Sequence, residues 1–140
     1  MCELQKPTEM SDATKYSFSK IMERGDVLTY YTCPAKSSNS KDHKAILGYY
    51  DKVLTQEKKD KKWRWVFDCD GFDERHACQT SLAYGIIKLI NEKHGESLVE
   101  IKIMNYTWHV QAMINVLWPF LGKKMRSIIV IDKETKNKKK

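Results

Sequence analysis

The sequence predicts an α/β fold, a mixed and mostly parallel sheet of about four strands flanked by helices. Two observations carry that expectation. Between Trp63 and Asp132 the chain reads strand, helix, strand, helix, strand, the order that builds parallel sheets through helical crossovers. The first strand of that run, residues 63–69, is dense in aromatic and β-branched residues and becomes apolar on both faces near its end. A strand of that kind is buried on two sides, which places it in the middle of the sheet.

Taken in order, residues 1–11 are polar and are expected to be a flexible N-terminus. Ser11-Asp12 offers an N-cap, and Tyr16, Ile21 and Met22 form a partial apolar stripe closed by Gly25, which predicts a first helix. Residues 27–32, β-branched and aromatic, predict a strand. Residues 34–41 form a loop by composition. Ile46, Leu47, Tyr50, Val53 and Leu54 recur at helical spacing and predict an amphipathic helix over residues 42–56. After the strand 63–69, Gly71 marks an exit turn. Leu82, Ala83, Ile86, Ile87, Leu89 and Ile90 predict a helix with a wide apolar face, ending near residues 92–95. In residues 98–104, Val99, Ile101 and Ile103 alternate with Glu100 and Lys102, a strand with one exposed face. Residues 108–118 predict a second apolar helix that Pro119 stops, and residues 127–131 an unbroken apolar strand. Residues 12–132 thus make one domain, followed by a basic tail, 133–140.

The chain has 140 residues, 41% of them hydrophobic, enough for a real core. The net charge of +7 gathers in two polar runs, Lys58-Lys59-Asp60-Lys61-Lys62 and the tail. The aromatics lie in the apolar segments and not among these lysines, so the stacking platform of a nucleic-acid binder is missing and no nucleic-acid partner is expected. Lysine runs of this kind are solvated connectors that also favour transient contact with an anionic membrane surface, worth on the order of 1 kcal/mol per lysine. No stretch approaches the roughly 18 apolar residues of a membrane span, and residues 1–11 have no apolar core of a secretory leader. A cytoplasmic protein, peripheral to membranes, is the expectation.

Catalytic constellations are sparse. Asp68-Cys69-Asp70-Gly71, two acids at the end of an apolar strand, is how haloacid-dehalogenase-type phosphatases begin, with the first aspartate attacking phosphorus beside Mg²⁺. Against this, Phe72 follows the glycine where that family has a small residue, and no later strand ends in paired acids. The four histidines are scattered, no nucleophile stands in an elbow, and the glycines are isolated. Cys69, His76 and Cys78 are near one another in sequence but lack a zinc-type spacing and a fourth ligand. No enzyme activity, metal or cofactor is expected.

The helix 108–118 carries Trp108, Val110, Met113, Ile114, Val116, Leu117 and Trp118, with His109, Gln111 and Asn115 as polar relief, and runs into Pro119-Phe120-Leu121. On pattern alone it is a core helix. Its surroundings add to that. The strand Trp63-Arg64-Trp65-Val66-Phe67-Asp68 runs into Asp70-Gly71-Phe72, and His94-Gly95-Glu96-Ser97-Leu98 leads a strand into Asn105-Tyr106-Thr107. The tetrapeptide Trp118-Pro119-Phe120-Leu121 then precedes Arg126-Ser127-Ile128-Ile129-Val130-Ile131. In these pieces and their order the chain resembles a CRAL-TRIO (Sec14-like) lipid-binding domain, shortened and divergent.

The resemblance implies non-catalytic binding, and transfer, of a hydrophobic ligand such as a lipid beneath the helix 108–118, which in such domains is a mobile gate. Val99, Ile101, Ile103 and Ile128 would floor the cavity, Trp108, Met113 and Leu117 would face it from the gate, and Phe120 would pin the gate end. Glu96, kept from the phosphatidylinositol-binding pattern, would be the polar contact. The two hydroxyl positions of that pattern are Trp63 and Trp65 here, and its lysine is Ile128, so the usual inositol-phospholipid headgroup site is not expected. The resemblance also implies a missing N-terminal helical bundle and a missing C-terminal segment. Such a domain keeps an open cavity, or fills it with Trp63 and Trp65 and becomes a protein-interaction scaffold. A magnesium phosphatase using Asp68 and Asp70 is the remaining alternative.

Overall fold

Among the described residues, five strands lie in the sheet in the order in which the chain makes them. The computed structural model describes residues 16–36, 42–73, 75 and 79–132. Strand β1 (Ser19–Arg24) runs antiparallel to β2 (Val27–Thr32). Then β3 (Lys62–Asp68), β4 (Leu98–Met104) and β5 (Ile129–Asp132) follow, each parallel to the strand before it. Helix α1 (His43–Val53) joins β2 to β3, α2 (Thr80–Leu89) joins β3 to β4, and α3 (Trp108–Leu117) with the short α4 (Lys123–Ile128) joins β4 to β5. Parallel crossovers are right-handed, and a sheet that grows in one direction by right-handed crossovers collects its helices on one face. That face carries Leu28 and Tyr30 of β2, Trp63 and Trp65 of β3, and Leu98, Ile101 and Ile103 of β4, all buried in one cluster with α1, α2 and α3 residues. The other face pairs Arg64 with Glu100 at 2.9 Å and Lys102 with Asp132 at 3.9 Å, partly exposed ion pairs that contribute little beyond solubility.

Local chemistry explains the element ends. Asp42 caps α1 by accepting from the Ala45 N–H at 3.1 Å. A wider π-type turn, Leu54–Lys58, continues the helix past Val53 and buries Leu54 completely. A similar turn, Ile90–His94, extends α2 and sinks Ile90 and His94. There His94 Nε2 lies 2.9 Å from Asp51 Oδ1, tying the end of α2 to α1. That hydrogen bond, helped by Lys93, holds the Asp51 carboxyl below the usual carboxylate range against the opposing effect of its burial.

Three sequence expectations are corrected. The helix expected after Ser11-Asp12 is, in its described part, the strand β1. Gly25, at φ +64, closes a hairpin to β2 and not a helix. This supplies the fifth strand. The apolar run 127–131 is split: Ser127 and Ile128 end α4, and only Ile129 onward is strand. A short apolar run has no period to tell helix from strand. Third, the alternation in β4 breaks at its start. Trp63 pairs with Leu98 and Arg64 with Glu100, so Val99 is an extra, bulged residue. The bulge puts Leu98 on the face of Ile101 and Ile103 and turns Val99 outward, 38% exposed. The lysine-rich tail and the expected N-terminal segment lie outside the described residues.

Gly71 leaves β3 at φ +80, and a Cβ there would stand 2.9 Å from the Ala35 Cβ. Gly71→Ala therefore combines backbone strain with a contact to a side chain that has no flexible end to retreat. A loss of about 1–3 kcal/mol is expected, read as a lower urea midpoint. An unchanged midpoint would contradict this account of the turn.

Candidate functional site

The space between the sheet and its helices is not filled. A cavity of about 140 Å³ lies there. Trp65 and Phe67 of β3 with Ile101 and Ile103 of β4 form its floor, extended by Ile129 of β5. Helix spacing supplies the walls: Ile46 and Tyr50 of α1, Leu82, Ala83, Ile86 and Ile87 of α2, and Met113, Ile114 and Leu117 of α3 each form a stripe at i, i+3 or i+4. Leu121 and Met125, after α3, close the end beside β5. None of the described lining residues is charged.

The two helices over the cavity differ. No residue of α2 is fully buried, although its sequence is strongly apolar, because its inward stripe faces the hollow. Helix α3 buries Val110, Met113 and Leu117 but exposes Trp108, Ala112 and Val116, an outward apolar stripe at four-residue spacing that Phe120 of the following turn continues. Trp108 is 71% exposed, its ring stacked on that of His109 with centroids 4.0 Å apart. Phe120 is 54% exposed and meets Tyr84 of α2 edge-on, with ring centroids 5.0 Å apart. The Arg126 guanidinium lies 5.6 Å from the Trp118 ring centroid and donates to the Trp118 carbonyl at 3.1 Å, fixing the turn that ends α3.

Four of the residues expected at the site, Ile101, Ile103, Met113 and Leu117, come together around this cavity. Five do not line it. Val99 is turned away by the bulge, and Ile128 sits on α4 while its neighbour Ile129 takes the lining position. Trp108 and Phe120 are on the outer side of α3 and its terminal turn. Glu96 is exposed in the turn before β4, where its carbonyl and that of Gly95 each accept from Lys124 Nζ at 2.7 Å. Reasoning from sequence missed the contributions of α1 and α2. The i, i+1, i+4, i+5 spacing of Leu82, Ala83, Ile86 and Ile87 was the available signal for the second.

The indoles of β3 divide their roles. Trp63 is fully buried and donates through Nε1 to the His94 carbonyl at 3.1 Å, filling the space beside the start of the strand. Trp65 walls the cavity and donates to Thr32 Oγ1 at 2.9 Å.

Asp68 closes the other end of the strand. It accepts from the Tyr31 hydroxyl, from Asn105 Nδ2 at 2.7 Å and from the Asp70 N–H at 3.0 Å. Burial opposes its ionisation, yet these three donors outweigh that effect and hold its carboxyl below the usual range. The same environment pushes the neighbouring Cys69 thiol up to about 12, chiefly by burial, so that thiol is inert near neutrality. Among the described residues no three metal-binding side chains converge; His76 and Cys78 lie outside them. No described helix is long and apolar enough to cross a membrane.

No curated protein matches the sequence. A family model, that of the CRAL/TRIO domain, matches residues 27–140, from the first residue of β2 onward. Every residue around the cavity except Tyr16 falls within that span. The chain is therefore a member of the CRAL/TRIO domain family, whose domains bind lipids and other hydrophobic ligands.

Proposed function

We propose that this protein binds a hydrophobic ligand, a lipid, in the cavity beneath α2 and α3, without catalysis. It would load and release the ligand from the cytosol at a membrane surface. The observation that carries this reading is the uncharged, mostly apolar hollow of about 140 Å³. Its size matters. An engineered cavity of about 150 Å³ admits benzene, whereas pockets for drug-sized ligands run from about 300 to 1,000 Å³. A long acyl tail therefore enters only if the roof moves outward. Helix α2, with no fully buried residue, and α3, apolar on both sides, suit that motion. The exposed Trp108, Val116, Trp118 and Phe120 would meet the bilayer, and Arg126 beside Trp118, with the exposed Lys123 of the same short helix, would meet anionic headgroups.

Organic extraction of the purified protein is expected to yield a bound lipid by mass spectrometry. Ile86→Trp, which projects a larger side chain into the hollow, is expected to abolish that yield at a stability cost of no more than about 1–3 kcal/mol. Undiminished lipid in that variant, or an empty extract from the wild type together with no transfer between vesicles, would overturn the reading.

The scaffold alternative gains from Trp63, which already occupies one end of the sheet–helix space; an empty extract would favour it. The phosphatase alternative gains nothing from the structure, in which Asp68 is held as the acceptor of three donors that join β2, β3 and the end of β4.

A further inference from the structure

Among the polar residues of the lining, which include Gln79 and Tyr16, one hydrogen-bonded pair does not balance. Thr32, at the end of β2, and Tyr50, on α1, both line the cavity and are 5% and 2% exposed. Thr32 Oγ1 accepts from Trp65 Nε1 at 2.9 Å and stands 3.5 Å from the Tyr50 hydroxyl oxygen. Each hydroxyl owns one proton and can accept twice. The pair holds two protons, and the described structure offers them no acceptor but each other's oxygen. Whichever hydroxyl donates across the 3.5 Å, the proton of the other is left without an acceptor, at the wall of the hollow. Burial pushes the Tyr50 phenol up to about 12, so both protons are present at neutral pH. A buried donor without a partner is disfavoured, and an oxygen brought in by a ligand removes that cost. That oxygen has to be uncharged. A carboxylate or phosphate would enter a space where no described lining residue carries a compensating charge.

We propose that the cavity selects a neutral lipophile bearing one acceptor oxygen, as a ketone, aldehyde, ester or alcohol, seated against the Thr32–Tyr50 hydroxyl pair. This rests on the cavity-binding reading above and adds the chemistry of what is bound.

The test uses the whole purified chain and the fluorescent apolar dye phenylnaphthylamine, displaced by three compounds of equal chain length. These are a medium-chain alkane, the corresponding methyl ketone, and the corresponding fatty acid, ionised at neutral pH. The ketone is expected to displace the dye at roughly three- to tenfold lower concentration than the alkane, the advantage of one net hydrogen bond. The ionised acid is expected to be the weakest of the three. Thr32→Val gives an independent reading. It removes the oxygen that serves Trp65 Nε1, so that two donors lack an acceptor, and the advantage of the ketone over the alkane is expected to widen. Equal displacement by ketone and alkane, an acid as strong as the ketone, or an unchanged ketone advantage in Thr32→Val overturns this inference and leaves hydrophobic binding standing. Failure of the dye and all three compounds to bind removes the cavity reading and this inference together. The wild-type series decides the matter even where Thr32→Val does not fold.

Discussion

Trp63→Ala is expected to cost about 3–5 kcal/mol, the range for truncating a large aromatic in a close-packed core. The indole has no exposed surface, and its neighbours are themselves rigid rings: Tyr30 and Trp65, with centroids 6.0 and 6.1 Å away. They come from strands locked in register, so the space left behind cannot collapse far. The residual void sets the upper part of the range. Loss of the indole N–H adds less, because the His94 carbonyl still has the Ser97 hydroxyl at 3.4 Å. Trp63→Phe, which keeps most of the volume, should lose about 1–2 kcal/mol. Urea unfolding followed by far-UV circular dichroism measures both. A change below about 1 kcal/mol in Trp63→Ala would mean that the indole does not support the core as described.

Removing the Asp68 carboxylate is the second large effect. Asp68→Ala leaves the Tyr31 hydroxyl, the Asn105 amide and the Asp70 N–H without their acceptor, at the point where β2, β3 and the end of β4 converge. Hydrogen bonds to a charged group contribute about 1.5–3 kcal/mol each and are not additive within one cluster, so a loss of about 3–4 kcal/mol is expected at neutral pH. Asp68→Asn keeps one acceptor oxygen, and the Tyr31 hydroxyl can turn to accept, so the loss falls to about 1–2 kcal/mol. The pH dependence has a definite sign. The carboxyl is held below its unfolded value, so its contribution is complete above the unfolded pKa of about 3.9 and disappears as pH falls through the lower folded value. The gap between wild type and Asp68→Ala should therefore narrow in acid. Urea titrations at about pH 7 and about pH 2 test this, and a gap that widens in acid would refute the assignment.

Much of the fold was legible because its elements repeat a pattern within themselves. The apolar spacing of α1, the wide apolar face of α2 and the aromatic density of β3 each identify an element without reference to any other. What stayed hidden depends on partners. Ser19–Arg24 carries no alternation of its own, five of its six residues are exposed, and it becomes a strand only by pairing across the Gly25 turn. The position of Val99 is decided by the register of β4 on β3, a long-range fact that a local alternation cannot contain. Around the cavity, the inward positions of Ile101, Ile103, Met113 and Leu117 follow from strand and helix period. The cluster of Thr32, Tyr50 and Trp65 does not, since it joins three elements through two hydrogen bonds that no spacing encodes. Ile128 and Ile129 differ only by where α4 hands over to β5, and element boundaries are the least legible feature of a sequence.

The one-directional winding of the sheet has a mechanical consequence. With the helices stacked on a single side, the backbone ladder and the adjustable cover are separate bodies. Under the proposed function, α2 and α3 would lift by rearranging side-chain contacts while every strand keeps its inter-strand amide partners. A sheet sandwiched between two helical layers would transmit such a displacement to its far side. Here the far face carries the partly exposed pairs Arg64–Glu100 and Lys102–Asp132 and no described helix of the crossovers, so expansion of the interior to admit a guest would fall on the helical side alone.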